Sequence, residues 1–452
     1  MSHLGRTLGW TGIFRLALVQ TALGSIIVLT TSTMNRVMVV ELALPALVPG
    51  VLVALHHLVQ LLRPRFGHGS DVGGRRTPWI IGGMATLAVG GVAAAVATAW
   101  MATDRFAGTL LGVAAFVAIG VGAGAAGTSL LVLMAKRVDP AKRAAAATVA
   151  WVMMIAGFII TAAIAGHFLD PFTTERLVLV TGCVAVVAFC VSLLAVAGIE
   201  DGTLAPVATG SPAVRGSFRA ALNEVWSEPQ ARRFTIFVFV SMLAYSAQDL
   251  ILETFAGIVF GMSPGASTKL AGLQNGGVLL GMVLVGIFGT WRGRSTPAAL
   301  RLWCIGGCIA SAIALFALAA CGLQPGSWPL RANVFALGLA NGAFAVAAIG
   351  SMMALAVAGR SGREGVRMGL WGAAQAIAFA AGGVLGTGAV DIARQFFPEA
   401  AYAYGIVFTA EAIVFLWAAV IAGELARESR ASRRSPSPTV SANLPYAREM
   451  AE

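Results

Sequence analysis

The amino-acid sequence predicts an all-α polytopic membrane protein with twelve transmembrane helices in two six-helix halves. Three observations carry that prediction: composition, a series of long apolar runs, and a lopsided placement of positive charge. Of 452 residues, 58% are hydrophobic and 11% charged, and the mean hydropathy is +0.82. Soluble globular chains carry about 25% charged residues.

A bilayer core of about 30 Å asks for about 20 apolar residues per helix. Such runs fall at 15–34, 44–62, 78–102, 108–134, 144–168, 177–199, 234–254, 268–290, 298–322, 332–358, 367–390 and 402–424. No charged leader with a cleavage site stands apart from the first run, which is therefore expected to stay as a permanent helix. With the N-terminus placed in the cytoplasm, 25 of the 31 Lys and Arg fall in or beside the cytoplasmic segments. The other side keeps Arg36, Arg105, Arg176, Lys269, Arg331 and Arg394. That asymmetry predicts both termini inside. It also accounts for the net charge of +11 without nucleic acid.

The halves are expected at 1–199 and 234–424. Between them, 200–233 is a cytoplasmic linker in which Phe218, Leu222, Val225 and Trp226 recur at the spacing of an amphipathic surface helix. Residues 425–452 are polar and proline-bearing and read as a disordered tail. An internal repeat relates the halves: GRRTP at 74–78 and GRSTP at 293–297 each open a third helix, with Thr as the expected N-cap and Pro at the first helical position. Arg143 and Trp151 are matched by Arg363 and Trp371.

The loop RFGHGSDVGGRRTPW sets Gly67, Asp71, Gly74, Arg75 and Arg76 in a pattern that resembles the gating loop between helices 2 and 3 of the major facilitator superfamily. Val72 stands where that family usually has a basic residue. The resemblance implies the facilitator fold and a gate between inward- and outward-open states. No GxxxxGK[ST] or HExxH motif occurs, and no catalytic or metal-binding residues are expected. All five cysteines lie in apolar runs and read as packing residues. An enzyme is not the expectation.

Ionisable groups inside a membrane cost roughly 2.5–3.5 kcal/mol each on insertion scales, so they face a cavity or a partner. Gln248, Asp249 and Glu253 form a polar triplet toward the periplasmic end of span 7, and Asn35, Arg36 and Glu41 follow span 1 at a comparable depth. These six are candidates for a cavity or a periplasmic gate, with Arg36 expected to meet Asp249; hydration at helix ends is the plainer alternative. His56 and His57 lie in span 2, about 10 Å from its cytoplasmic end. Adjacent positions point about 100° apart, so one of the two at most looks squarely inward. Either is a candidate ligand for the magnesium of a chlorin or a hydrogen-bonded packing histidine. Gln274, Asn275, Asn341 and Gln375 are further cavity candidates or interhelical glue.

A narrower resemblance comes from QDLILETFAG, VFGMSPGASTKLAGLQNGGVLLGM, TMNRVMVVEL, GGRRTPWIIGG, MGLWGAAQAIAFAAGG and AYGIVFTAEA. These resemble the PucC family, a bacteriochlorophyll-delivery branch of the facilitators, over about residues 14–424. Thr254 departs from the family where proline is expected. The resemblance implies an assembly factor that binds bacteriochlorophyll, or delivers it to light-harvesting or reaction-centre apoproteins. It implies pigment-synthesis enzymes as further partners, and an inner or intracytoplasmic photosynthetic membrane. A proton-coupled transporter of a small amphiphile, with Asp249 or Glu253 as proton site, and a pigment-free scaffold are the alternatives.

Overall fold

The computed structural model describes residues 8–62, 75–139, 142–200, 218–291, 297–324, 328–358 and 364–434. Apolar runs become helices because hydrocarbon offers backbone N–H and C=O groups no partner outside the segment. The membrane helices are α1 (Trp10–Glu41), α2 (Leu47–Leu62), α3 (Thr77–Trp100), α4 (Arg105–Arg137), α5 (Arg143–Phe168) and α6 (Thr174–Val196) in the first half. In the second half they are α7 (Pro229–Phe260), α8 (Pro264–Trp291), α9 (Pro297–Leu323), α10 (Leu330–Ala358), α11 (Glu364–Phe396) and α12 (Ala400–Arg434). Among the described residues, eleven of these are long and apolar enough to cross a membrane. Only α2 is short. Pro45 and Ala43, the latter with φ 49°, make a tight corner before it. This is a multi-pass membrane protein built from two sets of six helices.

The two halves repeat one contact pattern. α1 packs on α5 and α6, and α3 on α4 and α6; correspondingly α7 packs on α11 and α12, and α9 on α10 and α12. Each half has its own core. That of the first half includes Leu16, Met84, Phe116 and Leu130; that of the second is richer in rings, with Phe237, Phe255, Phe344, Phe408 and Phe415. Between the halves, α2 meets α11 and α5 meets α8. The end of the bundle with the α2–α3, α4–α5 and linker connections is called here the basic end, and the opposite one the far end.

Three expectations need correction. Span 1 does not stop at 34: α1 runs to Glu41 through two π-helical turns, Leu29–Thr33 and Val37–Glu41. Asn35 and Arg36 lie inside that helix, where the latter's charge is met by Glu41 across the second π turn. Thr77 caps nothing with its side chain; the first amides of α3, those of Arg76 and Thr77, donate to the Glu200 carboxylate at 2.7–3.0 Å. The tail expected to be disordered is helical through Arg434, and its remainder lies outside the described residues. With Thr254 in place of proline, α7 is unbroken, the Thr254 hydroxyl donating to the Ile251 carbonyl at 2.8 Å.

The linker forms a helix at Phe218–Ser227, with Val225 buried and Trp226 half-exposed. Directly after it, Glu228 takes a forked pair of hydrogen bonds from the Arg367 guanidinium at 2.8–3.1 Å, which binds the linker to the start of α11. Cys304, Cys308 and Cys321 are buried in the second core, Cys183 and Cys190 are exposed, and all five are free thiols.

Glycine sets the closest helix approach. Gly277 and Gly281 on α8 face Gly338 and Gly342 on α10, and a methyl group built on Gly342 would stand 2.0 Å from the Val278 carbonyl oxygen. Small residues four apart let backbones meet and gain dispersion contacts that lipid cannot replace. Gly342→Ala is therefore expected to cost about 1–3 kcal/mol of stability through overpacking. Gly182→Ala, where a methyl meets nothing within 4 Å, should be neutral or stabilising by up to about 1 kcal/mol. Thermal unfolding of the two purified variants in one detergent checks the contrast.

Candidate functional site

The end of α1 is stitched to the second half. The Ser32 hydroxyl donates to Glu253, and the Thr33 and Thr268 hydroxyls are 3.0 Å apart. The Asn35 amide donates to the Leu250 carbonyl at 2.5 Å. Arg36 Nη1 reaches Glu41 at 2.5 Å, and Nη2 the Met262 carbonyl at 2.5 Å. The guanidinium lies against Gly257, where a Cβ would come within 3.1 Å of it. Two π turns bracket Asn35 and Arg36, re-aiming side chains as such turns commonly do at functional positions.

Arg36 does not meet Asp249. Its head points at Gly257 and Met262, about two turns beyond Asp249 along α7. Asp249 is half-buried and no described residue hydrogen-bonds to it. Gln248, Glu253, Asn35 and Arg36 are buried, while Glu41 is exposed as a residue. The structure thus brings Asn35, Arg36, Glu41 and Glu253 together, and leaves Gln248 and Asp249 apart from them.

Two carboxylates that the sequence reading passed over complete the far-end closure. Asp170, at the end of α5, accepts the Ser263 hydroxyl at 2.8 Å and the Gly265 N–H at 3.1 Å, at the start of α8. Asp391, near the end of α11, accepts the Ala46 and Leu47 N–H groups at 2.9 and 2.8 Å, at the start of α2. Each half therefore caps a helix of the other. An acid there meets both the unpaired N–H groups and the positive end of the helix dipole. The positions are equivalent in the repeat, so the two latches are one device used twice. Gly265 is required: a Cβ there would stand 2.3 Å from the Asp170 carboxylate. Outside the second latch, a depression of about 460 Å³ is lined by Val40, Pro45, Ile258, Asp391, Arg394 and Gln395.

Of the other candidates, His56 is buried, with Nε2 2.7 Å from Gln60 Nε2. His57 is half-buried, its ring 5.1 Å from Phe379 of α11, so it is the histidine at the boundary between the halves. Gln274 is buried; Asn275 donates to the Ala271 carbonyl of its own helix at 2.9 Å. Asn341 is buried and accepts from Ser311 at 2.8 Å, and Gln375 lies 3.9 Å from the Met242 sulfur. Of the loop motif, Gly67, Asp71 and Gly74 lie outside the described residues. Arg75 is exposed and Arg76 buried at the start of α3.

If the latches hold the far end shut, removing one carboxylate charge should release it. Asp170→Asn and Asp391→Asn are each expected to weaken closure by about 1 kcal/mol, on the scale of a helix-terminus charge. The double variant should show close to the sum, since the sites share no partner. Spin labels at Thr103 and Glu399, on far-end loops of the two halves, report it: a longer-distance population should grow about fivefold per variant. An unchanged distribution in the double variant would sink the latch reading.

Residues 33–430 match the family described as PUCC protein. The chain is 52% identical over 416 residues to "Bacteriochlorophyll synthase 44.5 kDa chain" of Rhodobacter capsulatus, covering 92% of this chain and 95% of that one. It is 27% identical to "Protein PucC" of the same organism, over 91% of each. A solved structure from work on substrate recognition in proton-dependent oligopeptide transporters superposes with a TM-score of 0.69 at 15% identity, over 94% of this chain and 100% of the other. That likeness speaks for the fold alone. The match over nearly the whole membrane domain and the 52% identity together place this chain in the PUCC protein family.

Proposed function

We propose that the chain is a photosynthetic-complex assembly factor that binds bacteriochlorophyll in the membrane and delivers it to light-harvesting or reaction-centre apoproteins. The observation that carries the reading is the 52% identity, across 92% of the chain, to a protein named for bacteriochlorophyll synthesis. Its physical sense is plain: a chlorin with an isoprenoid tail is insoluble in water and photochemically dangerous when free. A helical bundle opening to lipid keeps it in solvent it can tolerate. His57 suits the cargo better than His56. It lies at the boundary of the halves against Phe379, where an imidazole would supply the axial ligand that the pigment's magnesium accepts. We assign no catalytic step to this chain, since its far-end polar cluster is engaged in joining the halves. The placement of 25 of 31 basic residues supports both termini in the cytoplasm of a photosynthetic membrane, where pigment-synthesis enzymes and apoproteins are the partners. In this reading the Asp170 and Asp391 latches and the Arg36 cluster form the outer gate.

Gentle purification from a phototrophic host, followed by an absorption spectrum, tests this. Stoichiometric chlorin is expected, reduced at least several-fold in His57→Ala and retained in His56→Ala. A colourless wild-type protein that still co-purifies with antenna polypeptides would favour the pigment-free scaffold instead.

A further inference from the structure

The second half carries a polar layer that the far-end closure does not use. Glu411, on α12, is 5% exposed and neither carboxylate oxygen has a partner. Gln248, on α7, is fully buried with both amide atoms unpartnered. Asn341, on α10, is fully buried; its Oδ1 accepts from Ser311 of α9, and its Nδ2 has no partner.

These residues share one depth. Tyr245 of α7 stacks on Phe344 of α10 at 6.3 Å, Phe344 on Phe415 of α12 at 5.7 Å, and Gly307 of α9 abuts Phe344. From that ring layer, Gln248, Asn341, Glu411 and Ser311 each lie three or four residues along their helices, and in all four helices the step runs toward the far end. One turn is about 5.4 Å, so the four side chains form the next layer up. A second ring layer closes it from the far side, with Phe255 5.0 Å from Phe408.

A lone carboxylate sealed between aromatic layers cannot stay there as a bare charge, because burying an ion without a counter-charge costs far more than burying it paired. Among the described residues no cationic side chain acts on Glu411. Titratable residues on the helices packed against α12 include Tyr245 and Asp249 on α7 and Cys308 on α9, and Tyr404 lies seven positions before Glu411 on α12 itself. Packing alone does not call for the acid, since the first half builds the same contacts and buries no carboxylate among its described residues.

We propose that Glu411 is a proton-binding site: the carboxyl carries the proton, and ordered water joins it to Gln248 and Asn341. The donor set suits this ligand. One carboxylate, two amides and a hydroxyl satisfy a carboxylic acid and one or two waters, whereas a hard metal ion wants six or more oxygens. Gln248 shares α7 with Leu250 and Glu253, which accept from α1, so the site adjoins the far-end closure. The proposal does not rest on the pigment reading.

Infrared spectroscopy of the purified, lipid-reconstituted protein tests it. The wild type should show a protonated-carboxyl band that moves in heavy water. Glu411→Gln should lose it, while Asp249→Asn and Glu253→Gln keep it. Asn341→Leu and Gln248→Leu should shift that band without deleting it, and they carry the test should Glu411→Gln fail to fold. An intact band in Glu411→Gln, or no shift in both amide variants, overturns the proposal. So does removal of the band by sodium or potassium ions, which would assign a metal cation instead.

Discussion

Hydrocarbon refuses unpaired polar groups, and that refusal organises this molecule. It forces the backbone into helices, and it prices every buried side-chain donor or acceptor by whether a partner is at hand. The protein meets the demand differently in different places. At the basic end of α3, Glu200 serves backbone amides, and at the linker Glu228 takes the Arg367 fork. At the far end the partners come from the opposite half.

That last choice has a mechanical consequence. A helix start needs acceptors for its first N–H groups, and α2 and α8 each find theirs on a carboxylate belonging to the other six-helix unit. Opening the far end therefore exposes two helix N-termini and two acids, all of which water satisfies well. The net cost of opening is small although each contact is short and specific, because water replaces what the protein gives up. Arg36 differs. Its counter-charge Glu41 is on its own helix, so that pair can travel with α1 when the halves part.

Hydropathy and charge made the fold legible, since helix count and direction depend on counts of residues along the chain. The family was legible from α1, α7, α8 and α11 motifs. What escaped were contacts that depend on distant residues. Asp391 lies 345 residues from Ala46 and Asp170 95 from Gly265, and nothing local marks either as a cap. Arg36 and Glu41 fall together beyond span 1, whose apolar run ends at 34; their ion pair, which lets the helix continue past both, depends on side-chain geometry that the run does not carry. Glu411 lies within AYGIVFTAEA, and the burial that sets this acid apart comes from neighbouring helices rather than from its own stretch of sequence.

The two halves then differ in chemistry more than in form. Helix pairings repeat, and the latches repeat, so the scaffold and its closure belong to the duplicated architecture. Polar asymmetry is confined to particular layers: π turns and a buried arginine in α1, and a buried acid with two amides in the second bundle. An architecture that can be built apolar in one half gains nothing in packing from an acid in the other. In a solvent that penalises it, such an acid is best explained by what it binds.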